Sequence, residues 1–199
     1  MSHRVIRLIG VGRWEPNASG RLREAALDLY TERGYEQTTV GDIAERAGLT
    51  ARTFFRYFAD KREVLFARGD ELQNAVRSAA IDAPAASPPM TVVATVLDVI
   101  AELVGRDRDH SRRRQAVIDA TPELQERELI KLARLAIVLR DGLRERGVSD
   151  PEAGLAAETG IAIFRVAFER WIHDPDEREL ADVMREATAR LESLVAPPG

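Results

Sequence analysis

From Thr38 to Lys61 the chain reads TTVGDIAERAGLTARTFFRYFADK, and its polar groups suit a reversible grip on nucleic acid in which no bond is made or broken. The hydroxyls of Thr39, Thr50 and Tyr57 and the ammonium of Lys61 are donors of the kind that hold phosphate oxygens. Arg52 carries a planar fork that matches the O6 and N7 edge of guanine. Thr53, Phe54 and Phe55 beside it offer surface to base edges and thymine methyls. Ala51 adds no bulk, which allows a phosphate backbone to approach the start of the segment that carries Arg52.

Such groups work only when a rigid element presents them. Thr39 is a good helix N-cap, and Ile43, Ala44 and Ala47 then fall on one apolar face, so a short helix starts at Val40. Gly48 follows where a left-handed residue ends a helix, Leu49 supplies an apolar side chain for burial, and Thr50 is a second N-cap for a helix starting at Ala51. Two short helices joined by a turn of about three or four residues containing Gly have the geometry of a helix-turn-helix, whose second helix enters the major groove. Spacing alone also fits an ordinary amphipathic helical hairpin with a solvated charged face.

The ordered run Thr38-Thr39-Val40, Asp42-Ile43-Ala44, Ala47-Gly48-Leu49-Thr50, Thr53-Phe54-Phe55, Tyr57-Phe58 and Lys61 resembles the signature of the TetR family of transcriptional regulators. The resemblance extends upstream through Ala25-Ala26-Leu27-Asp28-Leu29 and Gly34-Tyr35 and covers residues 19–70. It implies a one-component regulator, typically a repressor, that binds a palindromic double-stranded DNA operator. It also implies a homodimer whose last two helices form a four-helix bundle with the partner's, and a fourth helix that links the reader to a regulatory body. Phe55 stands where the family commonly has Tyr, which removes one hydroxyl from phosphate contact.

A chain of 199 residues with 45% hydrophobic and 31% charged residues can bury a real core. The absence of cysteine excludes disulfides, thiolate zinc sites and cysteine nucleophiles, and a reducing cytoplasm is expected. The opening MSHRVIRLIGVGRW is broken by Arg7 and two glycines and is too short in its apolar run for a secretory signal. No stretch approaches the roughly 20 apolar residues of a membrane span, so no membrane partner is expected. The net charge of -4 is unevenly spread: residues 1–68 hold 12 Lys and Arg against 9 Asp and Glu, leaving -7 for the remainder. The basic end is the helix-turn-helix end.

Residues 1–18 read as a flexible arm with Arg4, Arg7 and Arg13. Ser19 caps a first helix of Leu22, Ala25, Ala26, Leu29 and Tyr30 that Gly34 stops. Asp60 as N-cap with Val64, Leu65, Leu72 and Val76 predicts a fourth helix to about Ala80. IDAPAASPPM then breaks the pattern, dividing a DNA-binding domain, 19–82, from a regulatory domain, 83–199. That break is expected to let the fourth helix move as a unit. Beyond it come a helix from Val92 to Val104, a polar segment RDRDHSRRR, a short helix with Ala116, Val117 and Ile118, and long helices from Pro122 and Pro151. A final helix carries Leu180 to Leu194. No strand pattern appears, so an all-α fold of about nine helices is predicted.

Val96, Ile100, Leu103, Leu132, Leu135, Phe164 and Phe168 lie on faces poor in polar groups, which suggests a largely apolar pocket for an apolar or amphipathic effector; a fully packed core fits the same pattern. The helix from Pro151 is apolar over more than one face and calls for cover by a partner subunit, with Phe168, Trp171 and Leu180 as interface residues or, alternatively, monomer core. RRRQAVIDATPELQERELIKLARL and FRVAFERW resemble actinobacterial TetR-type regulators grouped with acyl-CoA-like ligands. Of Arg112, Arg113 and Arg114, one or two could form a cationic rim for an anionic head group; otherwise the three form a solvated face. His3, His110 and His173 are far apart and lack metal-ligand spacing, and no phosphate loop or nucleophile elbow is present, so no catalytic residue, metal or cofactor is expected. A helical binding protein or enzyme that does not bind DNA is the alternative reading.

Overall fold

The computed structural model describes residues 17–176 and 178–195. Helices α1 (Ala18–Arg33), α2 (Val40–Arg46) and α3 (Ala51–Tyr57) are followed by a 3-10 turn, Glu63–Phe66. Then come α4 (Gly69–Asp82), α5 (Pro89–Val104), α6 (Arg108–Asp119), α7 (Pro122–Glu145), α8 (Asp150–Ile172) and α9 (Leu180–Val195). Among the described residues there is no strand, and the all-α architecture of nine α-helices stands. The arm with Arg4, Arg7 and Arg13 lies outside the described residues. No described helix is long and apolar enough to cross a membrane.

Two cores form. The smaller gathers Leu22, Leu27, Ile43, Phe54, Phe58, Val64 and Phe66, with Val117 and Ile118 of α6 and Leu124 of α7 closing it from the regulatory side. The larger is built from α5, α7, α8 and α9, and α4 contributes Val76 and Ala80 to it. Thus α4, placed with residues 19–82 by the sequence, packs along α5 and α7.

Three expectations change. The first helix begins at Ala18, so Ser19 lies inside it and is not its cap. The single fourth helix is two elements. The Asp60 carboxylate accepts the N–H groups of Arg62 (2.8 Å) and Glu63 (3.1 Å), which caps a 3-10 turn. Phe66 must point into the small core and Val76 into the large one, and the chain breaks at Ala67-Arg68 to serve both. The polar segment RDRDHSRRR is almost entirely helical. Asp107 caps α6 by accepting from the His110 N–H at 2.9 Å, and the arginines find acceptors on neighbouring elements.

Those acceptors make α6 a junction. Arg108 donates to the carbonyls of Trp171 and Asp174, and Arg112 Nε to that of Ile172 at 2.9 Å, so both satisfy the open end of α8. Arg113 pairs with Asp28 of α1, and Arg114 Nε donates to the Leu65 carbonyl at 3.0 Å.

The C-terminal end of α4 is fixed more firmly than its Pro-rich neighbour suggests. The Arg146 guanidinium donates to the carbonyls of Ile81, Ala83 and Pro84, and a Cβ on Gly142 would come within 2.8 Å of Ala80 Cβ. A helix crossing this close needs glycine.

Between α8 and α9, Glu186 accepts from Arg170 (2.9 Å), Arg178 (2.9 Å) and Arg190 (2.7 Å). Their guanidinium hydrogen bonds hold its carboxyl down at about 2. A depressed carboxyl contributes stability that is complete above its ordinary value of 4.5 and is lost as pH falls from 4.5 towards 2. Denaturation melts across that window are therefore expected to lose stability in the wild type, with Glu186→Gln showing a shallower acid limb. Identical acid limbs would disprove the assignment.

Candidate nucleic-acid interface

The Thr39 side chain accepts the Asp42 N–H at 3.2 Å while the Asp42 carboxylate accepts the Thr39 N–H at 2.8 Å, a reciprocal capping box. The carboxylate also accepts the Thr39 hydroxyl at 2.6 Å, and Arg33 lies 3.0 Å from it. Gly48, at φ 65°, makes the left-handed turn that lets Leu49 tuck inward before Thr50 caps α3. Thr50 Oγ1 accepts the Thr53 N–H at 3.1 Å and lies 3.0 Å from the Thr53 hydroxyl. The Arg46–Glu32 fork, at 3.0 and 2.8 Å, ties α2 to α1.

Helix α3 therefore shows one face to solvent and buries the other. Thr50, Ala51, Arg52, Phe55, Arg56 and Tyr57 are exposed, Phe55 to 58%, and Thr53 is half-buried. Phe54 is 0% exposed, its ring centroid 5.3 Å from that of Phe58. It cannot face bases as the sequence suggested. Phe54 and Phe55 are adjacent, and an α-helix turns about 100° per residue, so one points to the core when the other points out. Arg56 was overlooked by sequence reasoning. It stands one turn beyond Arg52, at the i+4 spacing that puts two side chains on one face, and its guanidinium lies 5.0 Å from the centre of the Tyr57 ring.

Lys61 is also placed differently from expectation. Its ammonium donates to the carbonyls of Tyr35 (3.0 Å) and Thr38 (3.3 Å) and sits 4.0 Å from the centre of the Tyr35 ring. The Lys61 carbonyl in turn accepts the Tyr30 hydroxyl at 2.7 Å, and burial pushes that phenol far above its usual range, so it stays a donor. This lysine fastens the loop before α2 to α1 and has little left to offer a phosphate.

Behind the reader lies a cavity of about 780 Å³, bounded by the 3-10 turn, the start of α4, the end of α5, and α6, α7 and α8. Leu103, Leu132, Leu135, Phe164 and Phe168 line it, as the sequence suggested for the pocket. Val96 and Ile100 do not: both are buried in the larger core among α5's neighbours, because their turns of α5 lie away from the end that reaches the cavity. Of the three consecutive arginines only Arg114 lines it, joined by Arg23, Arg68, Arg106, Lys131 and Arg165 from elsewhere in the chain, with the carboxylates of Glu71, Asp107, Asp119, Glu128 and Glu169 among them. No sequence spacing connects those cations.

Two residues assigned to the dimer interface are core. Trp171 is 2% exposed and its indole N–H donates to the Arg178 carbonyl at 2.9 Å, while Leu180 is 1% exposed. They fill the corner where α8 turns into α9, which a single chain already covers. Phe168 is half-buried, between Phe164 and Trp171. Exposed apolar side chains on these two helices are instead Leu155, Ala162 and Val166 along one face of α8 and Leu194 and Val195 on α9; α7 exposes Leu129, Ile130 and Ile137 as well.

Known proteins share this arrangement. The family model for bacterial regulatory proteins of the tetR family matches residues 22–67, and that for the MftR C-terminal domain matches residues 86–196. The HTH-type transcriptional regulator TcmR of Streptomyces glaucescens is 29% identical, over 75% of this chain and 78% of its own. The structure of Thermus thermophilus FadR, a TetR family transcriptional repressor in complex with lauroyl-CoA, is 25% identical. It superposes with a TM-score of 0.52 over 91% of this chain and 97% of its own. Bacillus subtilis FadR in complex with stearoyl-CoA, 19% identical, covers 89% of this chain and 99% of its own with a TM-score of 0.63, a likeness of fold. With a helix-turn-helix that matches at one end and a regulatory half that matches at the other, the chain belongs to the TetR family of transcriptional regulators.

Proposed function

We propose that this regulator is a homodimeric repressor that grips a palindromic operator through the exposed face of α3 and is released by an amphipathic effector of the acyl-CoA class. The cavity carries this reading: a largely apolar space of about 780 Å³ whose polar lining holds cationic side chains, several of them beside carboxylates, set directly behind the reader. The lauroyl-CoA held by FadR of Thermus thermophilus supports the ligand class. The apolar stripe on α8 and α9 is the natural seat of the partner, since it joins exposed Leu155 and Val166 on one helix to Leu194 and Val195 on the next.

In this reading Thr50 and Tyr57 meet phosphates, Thr39, whose N–H and hydroxyl both go to Asp42, fixes the start of α2, and Arg52 and Arg56, with Ala51, Thr53 and Phe55, face the bases. The effector acts on the N-terminal end of α4. Its other end is clamped by Arg146 and the Gly142 crossing, whereas Gly69 and Leu72 line the cavity. A small tilt about the clamped end moves two recognition helices off the roughly 34–36 Å spacing of successive major grooves.

Fluorescence-anisotropy titration against the intergenic DNA beside its gene tests the reading. Sequence-selective binding is expected, weakened by lauroyl-CoA. Arg52→Ala is expected to lose roughly 1–3 kcal/mol and to relax preference at one base pair per half-site. By linkage, lauroyl-CoA must bind the operator complex more weakly than the free protein, by the factor with which it lowers operator affinity. Absence of selective DNA binding sinks the proposal, and equal lauroyl-CoA affinities sink the effector.

A further inference from the structure

Glu63 stands where three parts of the molecule meet. It opens the 3-10 turn, immediately before Val64 and Phe66, which are buried in the reader's core, and its side chain is 20% exposed. Its carboxylate pairs with Arg127 and, at 3.1 Å, with the ammonium of Lys131, both on α7. Lys131 is 18% exposed, lines the effector cavity, and lies with Nζ 3.9 Å from where a Cβ on Gly69, the first residue of α4, would sit. One ammonium thus pairs with the reader, borders the ligand space and stands beside the first residue of the lever helix.

The triad is charge-paired and largely withdrawn from water, with Glu63 Oε1 against the Arg127 guanidinium and Oε2 against Lys131. In a partly buried ion cluster attraction works against desolvation, so a competing charge can tip the balance. Of the other lining cations, Arg114 also ties the turn to α7, but it meets the turn through a backbone carbonyl and not through a charged group of the reader. Arg106 pairs with Glu102 of its own helix end, and Arg114 pairs with Glu128 of α7 at 3.0 Å while Nε holds the Leu65 carbonyl.

We propose that Lys131 is shared between Glu63 and the anionic group of the effector, so that a carboxylate or phosphate entering the cavity takes the ammonium from Glu63 and unlatches the 3-10 turn from α7. The exchange rests on the amphipathic-effector reading; the latch itself does not. With Lys131 withdrawn, the Glu63 carboxylate is left facing Arg127 alone. The reader then loses a tie that holds its orientation on the regulatory body, and operator affinity falls. The anion gains the cation that the reader loses, which is a differential contact of the kind allosteric coupling requires.

The test uses the full chain, operator anisotropy and lauroyl-CoA titration. Without ligand, Lys131→Met and Glu63→Gln are each expected to weaken operator binding about five- to tenfold, and the double variant no further than either alone. Lys131→Arg, which keeps the charge, restores most of the affinity, and circular dichroism melts verify that every variant folds. With ligand, Glu63→Gln is expected to bind lauroyl-CoA more tightly than wild type, yet to lose most of the wild-type drop in operator affinity. Folded Lys131→Met and Glu63→Gln proteins that bind operator like wild type overturn the latch. A Glu63→Gln protein with the full wild-type lauroyl-CoA response overturns the exchange. Wild type that binds no lauroyl-CoA overturns the amphipathic-effector reading and the exchange with it, while the ligand-free arm still decides the latch.

Discussion

Phe54→Ala is expected to destabilise the protein by about 3–5 kcal/mol, because a wholly buried aromatic is replaced by a methyl that leaves a cavity behind. Phe54 is 0% exposed and its ring touches those of Phe55 and Phe58, at centroid distances of 5.6 and 5.3 Å. Phe54 is among the largest fully buried side chains, and its neighbours in the small core are held in place by the helices that carry them, so the loss should unfold the reader and abolish binding to every DNA sequence alike. Phe55→Ala, on the exposed face of the same helix, is expected to change stability by no more than about 0.5 kcal/mol and to act on DNA affinity alone. Urea denaturation beside operator titration separates the two. A Phe54→Ala protein of wild-type stability with altered sequence preference would return Phe54 to the DNA face.

Trp171→Ala should be comparably severe, about 3–5 kcal/mol, and for a reason confined to one chain. The indole is buried between Phe168, at a centroid distance of 5.8 Å, and the guanidinium of Arg108, at 5.6 Å, with its N–H spent on the Arg178 carbonyl. Removing it empties the corner between α8 and α9 and frees an acceptor that the ring had satisfied. Val166→Glu, on the exposed stripe of α8, is expected to leave the subunit folded and to shift the protein towards monomer. Sedimentation velocity combined with thermal melts distinguishes the outcomes. If Trp171→Ala yields a stable, folded monomer, the tryptophan belongs to the interface after all.

Elements declared by local signals were legible in the sequence. The caps Thr39 and Thr50, the turn at Gly48, the stops at Gly34 and Gly105, and the starts at Pro122 and Pro151 act within a few residues of themselves, and each lies at or within a residue of the observed helix boundary. Apolar periodicity likewise marked α5, α7, α8 and α9 and, with them, the all-α fold. The family followed from the dense run of residues in and before α3.

What the tertiary structure alone decided is which partner each side chain meets. Helix α6 reads as a polar linker because its arginines look solvated in sequence, yet they answer carbonyls and carboxylates 14 to 85 positions away along the chain: Arg113 meets Asp28, Arg112 meets Ile172, and Arg114 meets Leu65 and Glu128. Two adjacent phenylalanines, Phe54 and Phe55, have the same composition and opposite roles, since the helix rotation relative to the core assigns one to packing and the other to solvent. The same holds for Lys61, whose charge suggested a phosphate until the carbonyls of Tyr35 and Thr38 were found around it. Trp171 is an apolar residue on an apolar helix, and only the fold of α9 across it decides that one chain is enough to bury it. Charge and hydrophobicity are properties of a residue, whereas exposure and pairing belong to the packed arrangement of helices, which no local spacing encodes.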